Sequence, residues 1–208
     1  MQTTTTKQKI LDEALTLFSE KGYANVYVSD IADKVGIKAP SLYKHYKSKQ
    51  AIFDAIIEEM NNRFLEQAKA LNITGNDAQA DAAIYKDIGE EALVQLGQNL
   101  FAYFLHDDYV RRFRKMLTIE QFRDEELGRI YAKQYVDDPL AYQGMMFGMM
   151  VAQGVLVTDN IPVMTIHFYA PIYMLLTICD REPQREAEAM KTLEEHIRKF
   201  DELYGRKY

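Results

Sequence analysis

Residues 28–56 read "VSDIADKVGIKAPSLYKHYKSKQAIFDAI" and predict three helices in close succession. The first is short and ends at Gly36, since glycine commonly follows the last turn of a helix. Pro40 suits the first position of a second short helix, and Ser48 caps a long third one. Two short helices joined by a tight turn indicate a helix-turn-helix, whose second helix enters the DNA major groove.

The charge distribution agrees with this interpretation. Residues 1–50 carry eight Lys or Arg and five Asp or Glu, a net charge of +3, in a chain whose formal net charge is −6. A basic end on an acidic chain indicates one part that meets a polyanion and another that does not.

The remainder of the chain shows helical periodicity nearly everywhere, which predicts an all-α fold of about nine helices. We expect a helix-turn-helix DNA-binding domain over residues 1–50 and a larger effector-binding and dimerisation domain over 51–208, with helix 48–71 linking the two. Pro171 falls inside a helical pattern and should kink or split that helix. Further helices are predicted near residues 81–105, 108–117, 119–135, 139–157, 162–180 and 184–204.

The sequence predicts a cytoplasmic protein that does not enter a membrane. The single Cys179 cannot form an intramolecular disulfide, and the N-terminus lacks the apolar run of a secretory signal. The apolar stretch 144–157 is shorter than the roughly 20 residues that a membrane span needs.

The basic residues of the helix-turn-helix can be divided by the part of DNA they would meet. Phosphate contacts position a protein, and base contacts specify its site. Tyr43, Lys47 and Lys49 suit phosphates. Three further residues are predicted to contact DNA: Tyr27 before the first helix, Ser29 on it, and His45 on the exposed face of the second. Four residues at the start and exposed face of the second helix could face bases, with Lys44 donating to guanine and a methyl group touching thymine: Lys38, Ala39, Ser41 and Lys44.

The full string resembles the signature of the tetracycline-repressor family of regulators. The shared features are an Ile-Ala pair, a Val-Gly turn, a Leu-Tyr-x-His-aromatic recognition helix and Lys-x-Lys before a long apolar helix. Residues 7–60 match this signature in order and spacing.

The resemblance implies roles for individual residues. It assigns phosphate contacts to Tyr43 and Lys49, and base contacts to residues 38–41, which include Pro40. His45 matches the family histidine. Family members usually carry a threonine that caps the first helix of the motif and touches the DNA backbone, where this chain has Tyr27, whose phenol cannot cap in the same way.

The family architecture also implies dimerisation through the last two long helices. Both helices carry apolar stripes at three-four spacing, which is typical of a pairing seam. The alternative is that the stripes cover their own core. The predicted dimerisation residues are Met164, Phe168, Ile172, Leu175, Met190, Leu193, Ile197, Phe200 and Tyr204.

A methionine-rich segment, "AYQGMMFGMMVAQG" (residues 141–154), is the candidate wall of an effector pocket. Methionine side chains adapt to varied apolar ligands, which favours a small apolar or amphipathic effector. Plain core packing is the alternative for any single methionine. The predicted effector-binding residues are Phe64, Phe101, Phe104, Tyr142, Met145, Met146, Met149, Gln153 and His167.

No enzymatic motif is present: the sequence lacks a G-x-S-x-G elbow, a phosphate-binding glycine loop and an H-E-x-x-H pair. We therefore expect no catalysis, no metal site and no cofactor. The hypothesis is a homodimeric repressor that binds a palindromic double-stranded DNA operator and is released by a small-molecule effector. The rival hypotheses are a helical module that binds a protein partner, and a small all-α enzyme.

Overall fold

The structure, a computed structural model, describes residues 5–206 except the side chain of Asp87, and its regular structure is helical, which confirms the predicted all-α class. A π-helical segment, Lys133–Asp137, joins α8 to α9, and a 3₁₀ turn, Pro183–Arg185, precedes α11. The α-helices of the described residues are α1 (Thr6–Lys21), α2 (Val28–Val35), α3 (Ala39–Leu42), α4 (Lys49–Ala70), α5 (Ala78–Asp87), α6 (Glu90–His106), α7 (Asp108–Glu120), α8 (Glu125–Ala132), α9 (Asp138–Ala152), α10 (Ile161–Arg181) and α11 (Glu186–Tyr204).

Helix boundaries near the N-terminus follow the capping signals in the sequence. The Thr5 side chain accepts a hydrogen bond from the Gln8 backbone N–H at 3.2 Å, which begins α1. Gly22 ends that helix with φ of 83°. The Ser48 hydroxyl accepts from the Ala51 N–H at 3.0 Å at the start of α4. These side chains satisfy N–H groups that have no partner within the helix.

The described chain forms two compact units. Unit 1 comprises residues 5–63 and Asp108–Tyr131, which contain α1 to α3, the first part of α4, α7 and most of α8. Its core includes the rings of Phe18, Tyr23 and Phe53, whose centroids lie 5.0 to 6.5 Å apart in edge-to-face arrangements. Edge-to-face packing places the positive ring edge against the negative ring face.

Unit 1 differs from the predicted domain boundary at residue 50 because α7 packs on α1. Arg112 of α7 donates to the Asp12 carbonyl at 3.1 Å and to the Thr16 hydroxyl at 2.6 Å on α1. The apolar face of α7 is buried, including Phe113. A segment distant in sequence therefore completes the core around the helix-turn-helix.

Unit 2 comprises Phe64–Asp107 and residues 132–206. One apolar cluster joins α5, α9, α10 and α11 around stacked and edge-on rings of Phe147, Phe168 and Phe200. A second cluster joins α6, α10 and α11, and includes Phe101 and Leu193.

The predicted helix over 81–105 is wrong, because this stretch contains two helices. α5 begins earlier than expected, since the Asp77 carboxylate accepts from the N–H groups of Gln79 and Ala80, both at 3.0 Å. Extended backbone at Ile88 and Gly89 then separates α5 from α6. Gly89 occupies the cap position, and two acidic residues in the first turn of α6 suit its positive end.

Pro171 lies inside α10 and does not split it. Proline lacks the N–H that would bond the carbonyl four residues earlier, so α10 loses one helical hydrogen bond there. Packing of the surrounding residues in unit 2 keeps the helix continuous.

Candidate functional site

The helix-turn-helix is held in shape by a buried apolar face and a glycine turn. Gly36 adopts left-handed backbone angles (φ 80°, ψ 32°), and the Ile37 N–H donates to the Ala32 carbonyl at 2.9 Å. This pattern is the Schellman motif, which ends a helix and turns the chain. Val35 on α2 and Leu42 on α3 are both buried, so the two helices form one wedge.

A basic face covers the outside of this wedge. It comprises five exposed side chains: Lys34, Lys38, Lys44, His45 and Lys47. Within residues 5–206, none of the five has a carboxylate at ion-pair distance. The charges of the four lysines are therefore available to an external polyanion.

The start of α3 carries the small side chains predicted to face bases. Ala39 and Ser41 are partly exposed and Pro40 is exposed. α3 itself is only four residues long, although helical hydrogen bonding continues to Tyr46, whose N–H donates to the Leu42 carbonyl at 3.1 Å.

Two tyrosines flank the wedge. The side chains of Tyr27 and Tyr43 are 69% and 51% exposed. The Asp30 carboxylate accepts from the Tyr27 backbone N–H at 2.7 Å, which is one half of a capping box. The Tyr27 side chain makes no capping hydrogen bond of the kind that a threonine would make. Ser29, on the first turn of α2, is also exposed.

Lys49 has a structural role that the sequence did not indicate. Its Nζ donates to the carbonyl oxygens of Tyr23 at 2.9 Å and Val26 at 3.0 Å, and lies 4.3 Å from the centroid of the Tyr23 ring. Burial lowers the pKa of this ammonium and raises the pKa of the Tyr23 phenol to about 12. Lys49 thus holds the loop that leads into α2, and its phosphate contact stays a prediction.

A short helix with exposed small and basic side chains, flanked by lysines and tyrosines, suits the major groove and its phosphates. Unit 1 is therefore built around a helix-turn-helix with a basic outer face.

Comparison with known proteins agrees with this class. Residues 10–56 match the family model of bacterial regulatory proteins of the tetR family. The biofilm operon icaADBC negative transcriptional regulator IcaR of Staphylococcus epidermidis is 47% identical over 60 residues, which cover 29% of this chain and 32% of that protein. IcaR of Staphylococcus aureus is 32% identical over 125 residues, covering 60% of this chain and 61% of that protein.

The fold comparison extends over nearly the whole chain. The structure of SmeT, the repressor of the Stenotrophomonas maltophilia multidrug efflux pump SmeDEF, superposes with a TM-score of 0.64 at 18% identity. The superposition covers 97% of this chain and 91% of SmeT. The chain spans less than two thirds of the length of the IcaR relatives. Residues 10–56 therefore carry a tetR-type N-terminal sequence, and the fold of the chain resembles that of SmeT.

The nine predicted effector residues lie in unit 2 but not in one cluster. Phe64 stacks on Phe104 with ring centroids 6.1 Å apart, whereas Phe101 belongs to the cluster of α6, α10 and α11. Tyr142, Met146 and Met149 pack in the cluster around α9. Three residues are exposed: Met145, Gln153 and His167, the last bonded to the Tyr204 hydroxyl at 2.7 Å.

The predicted dimerisation seam lies inside the protomer. Met164, Leu175, Leu193, Ile197, Phe200 and Tyr204 are buried, and Phe168, Ile172 and Met190 pack against the same two clusters. These stripes cover the core of unit 2, which was the alternative interpretation of their spacing.

A different stripe of α10 is exposed and apolar. We call Val163, Ile166, Ala170 and Met174 the α10 stripe; Ile166 and Met174 are 52% and 57% exposed. Among the described residues, α10 is also the helix long and apolar enough to cross a membrane. That is weak evidence for a span, because apolar helices of soluble proteins pass the same test.

Sequence reasoning missed Asp81, a fully buried carboxylate on α5. The sequence did carry a sign of this burial, because Asp81 shares the apolar face of α5 with Ala78 and Ala82, which are also buried. A charged residue at such a position needs hydrogen-bond partners.

Proposed function

We propose that this protein is a non-enzymatic transcriptional repressor that binds a palindromic double-stranded DNA operator as a homodimer. The observation that carries the proposal is the basic face on an ordered helix-turn-helix, free of ion pairs within the described residues. The family match over residues 10–56 covers the same segment. DNA as the partner also makes the cytoplasm the expected compartment.

Dimerisation is supported by the α10 stripe. Val163, Ile166 and Met174 are large apolar side chains on one face of a helix whose opposite face is buried in unit 2. A single helix-turn-helix binds weakly, and two copies read half-sites about 34–36 Å apart. Burying the α10 stripe against a second copy would remove apolar surface from water and supply the second recognition helix.

Repression and release by a ligand are supported by the relatives. IcaR is named as a negative regulator, and SmeT has been solved in complex with triclosan. The effector of this chain is proposed to be a small apolar or amphipathic molecule that binds along α9, where Met146, Met149 and Phe147 pack together. A coupling free energy of about 1–3 kcal/mol would lower operator affinity about 5- to 150-fold.

The test is selection of binding sites from a random double-stranded DNA pool by the purified protein at roughly physiological salt. A palindromic enriched sequence is expected. Lys44→Ala should relax preference at one base position, at a cost of about 1–3 kcal/mol, without weakening binding to unrelated DNA.

Lys47→Ala is the matched variant, because Lys47 is proposed to contact a phosphate. It should weaken binding to all sequences and reduce the salt slope by about 1. A folded protein that enriches no sequence would contradict the proposal and favour the protein-partner alternative.

A further inference from the structure

The carboxylate of Asp81 is a buried negative charge inside unit 2 that no cationic side chain neutralises. It accepts hydrogen bonds from the Thr74 N–H at 2.7 Å, the Thr74 hydroxyl at 2.9 Å and the Gly75 N–H at 2.9 Å. The Tyr142 hydroxyl of α9 donates to the same carboxylate. In the part of the chain that the structure describes, no lysine, arginine or histidine nitrogen lies at ion-pair distance from Asp81. The four donors reduce the cost of burial but leave the charge itself in place.

Two tyrosine side chains lie beside this charge. Tyr85 follows Asp81 by one turn of α5, and both Tyr85 and Tyr142 are partly exposed while packing against the apolar cluster of α5, α9, α10 and α11. Burial and the Asp81 charge raise the pKa of the Tyr85 phenol to about 12. Burial and the hydrogen bond to Asp81 also raise the pKa of the Tyr142 phenol. Both phenols are therefore neutral at physiological pH and lie in the negative potential of Asp81.

The oxygen atoms of the two phenols can accept further hydrogen bonds. The Tyr142 hydroxyl uses its proton in the bond to Asp81, which leaves its lone pairs for another donor. The Tyr85 hydroxyl has no hydrogen bond to any of the described residues. A ligand group that donates hydrogen bonds and carries positive charge suits these two oxygens, whereas an anionic group would be repelled by Asp81.

The aromatic rings and the methionines of α9 favour the same kind of ligand. The face of a tyrosine ring is negative and attracts a cation that lies within about 6 Å of its centroid. Met146, Phe147 and Met149 continue the apolar cluster along α9. Methionine side chains are flexible and polarizable, so they can pack around an apolar chain of varied shape.

We propose that the effector of this protein is an amphipathic organic cation. Its charged head lies at the rings of Tyr85 and Tyr142, and its apolar part lies along Met146 and Met149. Asp81 acts without contacting the ligand, because its charge favours the cation and its hydrogen bond orients Tyr142. The proposal rests on the proposed function, since it names the chemical class of the effector.

The experiment measures binding to the purified full chain by isothermal titration calorimetry, without DNA and at roughly physiological salt. The probes are octyltrimethylammonium, octanol and octyl sulfate, which share one chain length and differ in the charge of the head group. All are used below the concentrations at which they form micelles.

Three variants locate the site. Asp81→Asn removes the charge and keeps the shape of the side chain. Tyr85→Leu removes the ring and leaves Asp81 with its four donors, so it decides the question if Asp81→Asn fails to fold. Glu195→Gln is the matched control, because it removes one negative charge from an exposed position of α11.

Octyltrimethylammonium should bind the wild type about 5-fold or more tightly than octanol, and octyl sulfate should bind more weakly than octanol. Asp81→Asn and Tyr85→Leu should each lose most of the preference for the cation, and Glu195→Gln should keep it. The proposal is overturned if the cation does not bind, if octanol or octyl sulfate binds as tightly, or if the preference survives in the folded site variants.

These titrations contain no DNA and are therefore independent of operator selection. A protein that selects an operator but does not prefer the cation keeps the proposed repressor function and loses this inference. A protein that prefers the cation through Asp81 and Tyr85 but selects no operator keeps the ligand site and loses the proposed function.

Discussion

The helix-turn-helix and α10 use apolar side chains differently. In residues 28–56 most large aliphatic side chains are buried and most lysines are exposed, so the outer surface of this region is polar and needs no protein cover. In α10 Met164 and Leu175 face the core while Ile166 and Met174 face out, so both sides of the helix are apolar. A helix with one polar side buries its apolar side in the core of its own protomer. A helix that is apolar on both sides has a second apolar face, which a second protein surface can cover.

The largest effect on stability is expected from replacing a large core side chain by alanine in either unit. Phe53 is fully buried in unit 1, and Phe200 is nearly so in unit 2. Alanine at either position should lower the free energy of unfolding by about 3–5 kcal/mol. Denaturant titrations at several protein concentrations measure this.

Phe53 and Phe200 differ in the role that the sequence analysis predicted for them. Phe200 was predicted to lie in the dimer interface. If the loss of unfolding free energy depends on protein concentration for Phe200→Ala but not for Phe53→Ala, Phe200 contributes to an interface between protomers. Phe122→Ala is the control, since that ring is 91% exposed and its loss should change stability by less than about 0.5 kcal/mol.

The second effect concerns the outer side of α10. Ile166→Asp should weaken dimerisation about 10-fold or more, since a carboxylate in an apolar interface must be desolvated. Sedimentation across a concentration series measures this, with circular dichroism to check that the helices remain. Ile84→Asp, on an exposed apolar position of α5, should leave the oligomeric state unchanged. A dimer that survives Ile166→Asp would place the pairing surface elsewhere.

The third effect separates two neighbouring lysines of the helix-turn-helix region. Lys49→Ala removes the ammonium donor from the Tyr23 and Val26 carbonyls, of which the Tyr23 carbonyl keeps the Val26 N–H at 3.3 Å. The loss should cost about 1–3 kcal/mol of stability. Lys47→Ala should change stability by less than about 0.5 kcal/mol and act only on DNA affinity. If Lys49→Ala keeps full stability and only flattens the salt dependence, its ammonium serves phosphate rather than the loop.

The smallest effect is a pH dependence in unit 1. Burial raises the pKa of Asp12, so the protonated form is favoured in the folded state. The contribution of Asp12 to stability is therefore present below its ordinary pKa of 3.8 and is lost as the pH rises through the raised value. Stability measured against Asp12→Asn across this window should decline for the wild type relative to the variant. A constant difference would contradict the shift.

The helical fold and the exposed basic face of the helix-turn-helix were predictable because local signals decide them. Gly36 and Ser48 mark helix ends through backbone freedom and a side-chain hydroxyl, and the structure places both as expected. These signals depend on residues a few positions apart, which a sequence displays directly.

The interior of unit 2 was less predictable because its contacts are distant in sequence. The spacing of Leu193 and Ile197 fits a core as well as a dimer seam, and only the packing of α6 and α10 around them decides. The Tyr142 hydroxyl donates to the Asp81 carboxylate, which lies 61 positions earlier in the sequence. The role of Lys49 likewise depends on a loop 23 to 26 residues away.

The short recognition helix has a consequence for how such proteins diversify. Within α3 the buried residue is Leu42, and its neighbours Ala39, Pro40 and Ser41 are at least partly open to solvent. Surface substitutions of this kind usually change stability by less than about 0.5 kcal/mol. The outward residues of α3 can therefore be exchanged at little cost in stability, which would change the surface offered to a partner while the scaffold of unit 1 is kept.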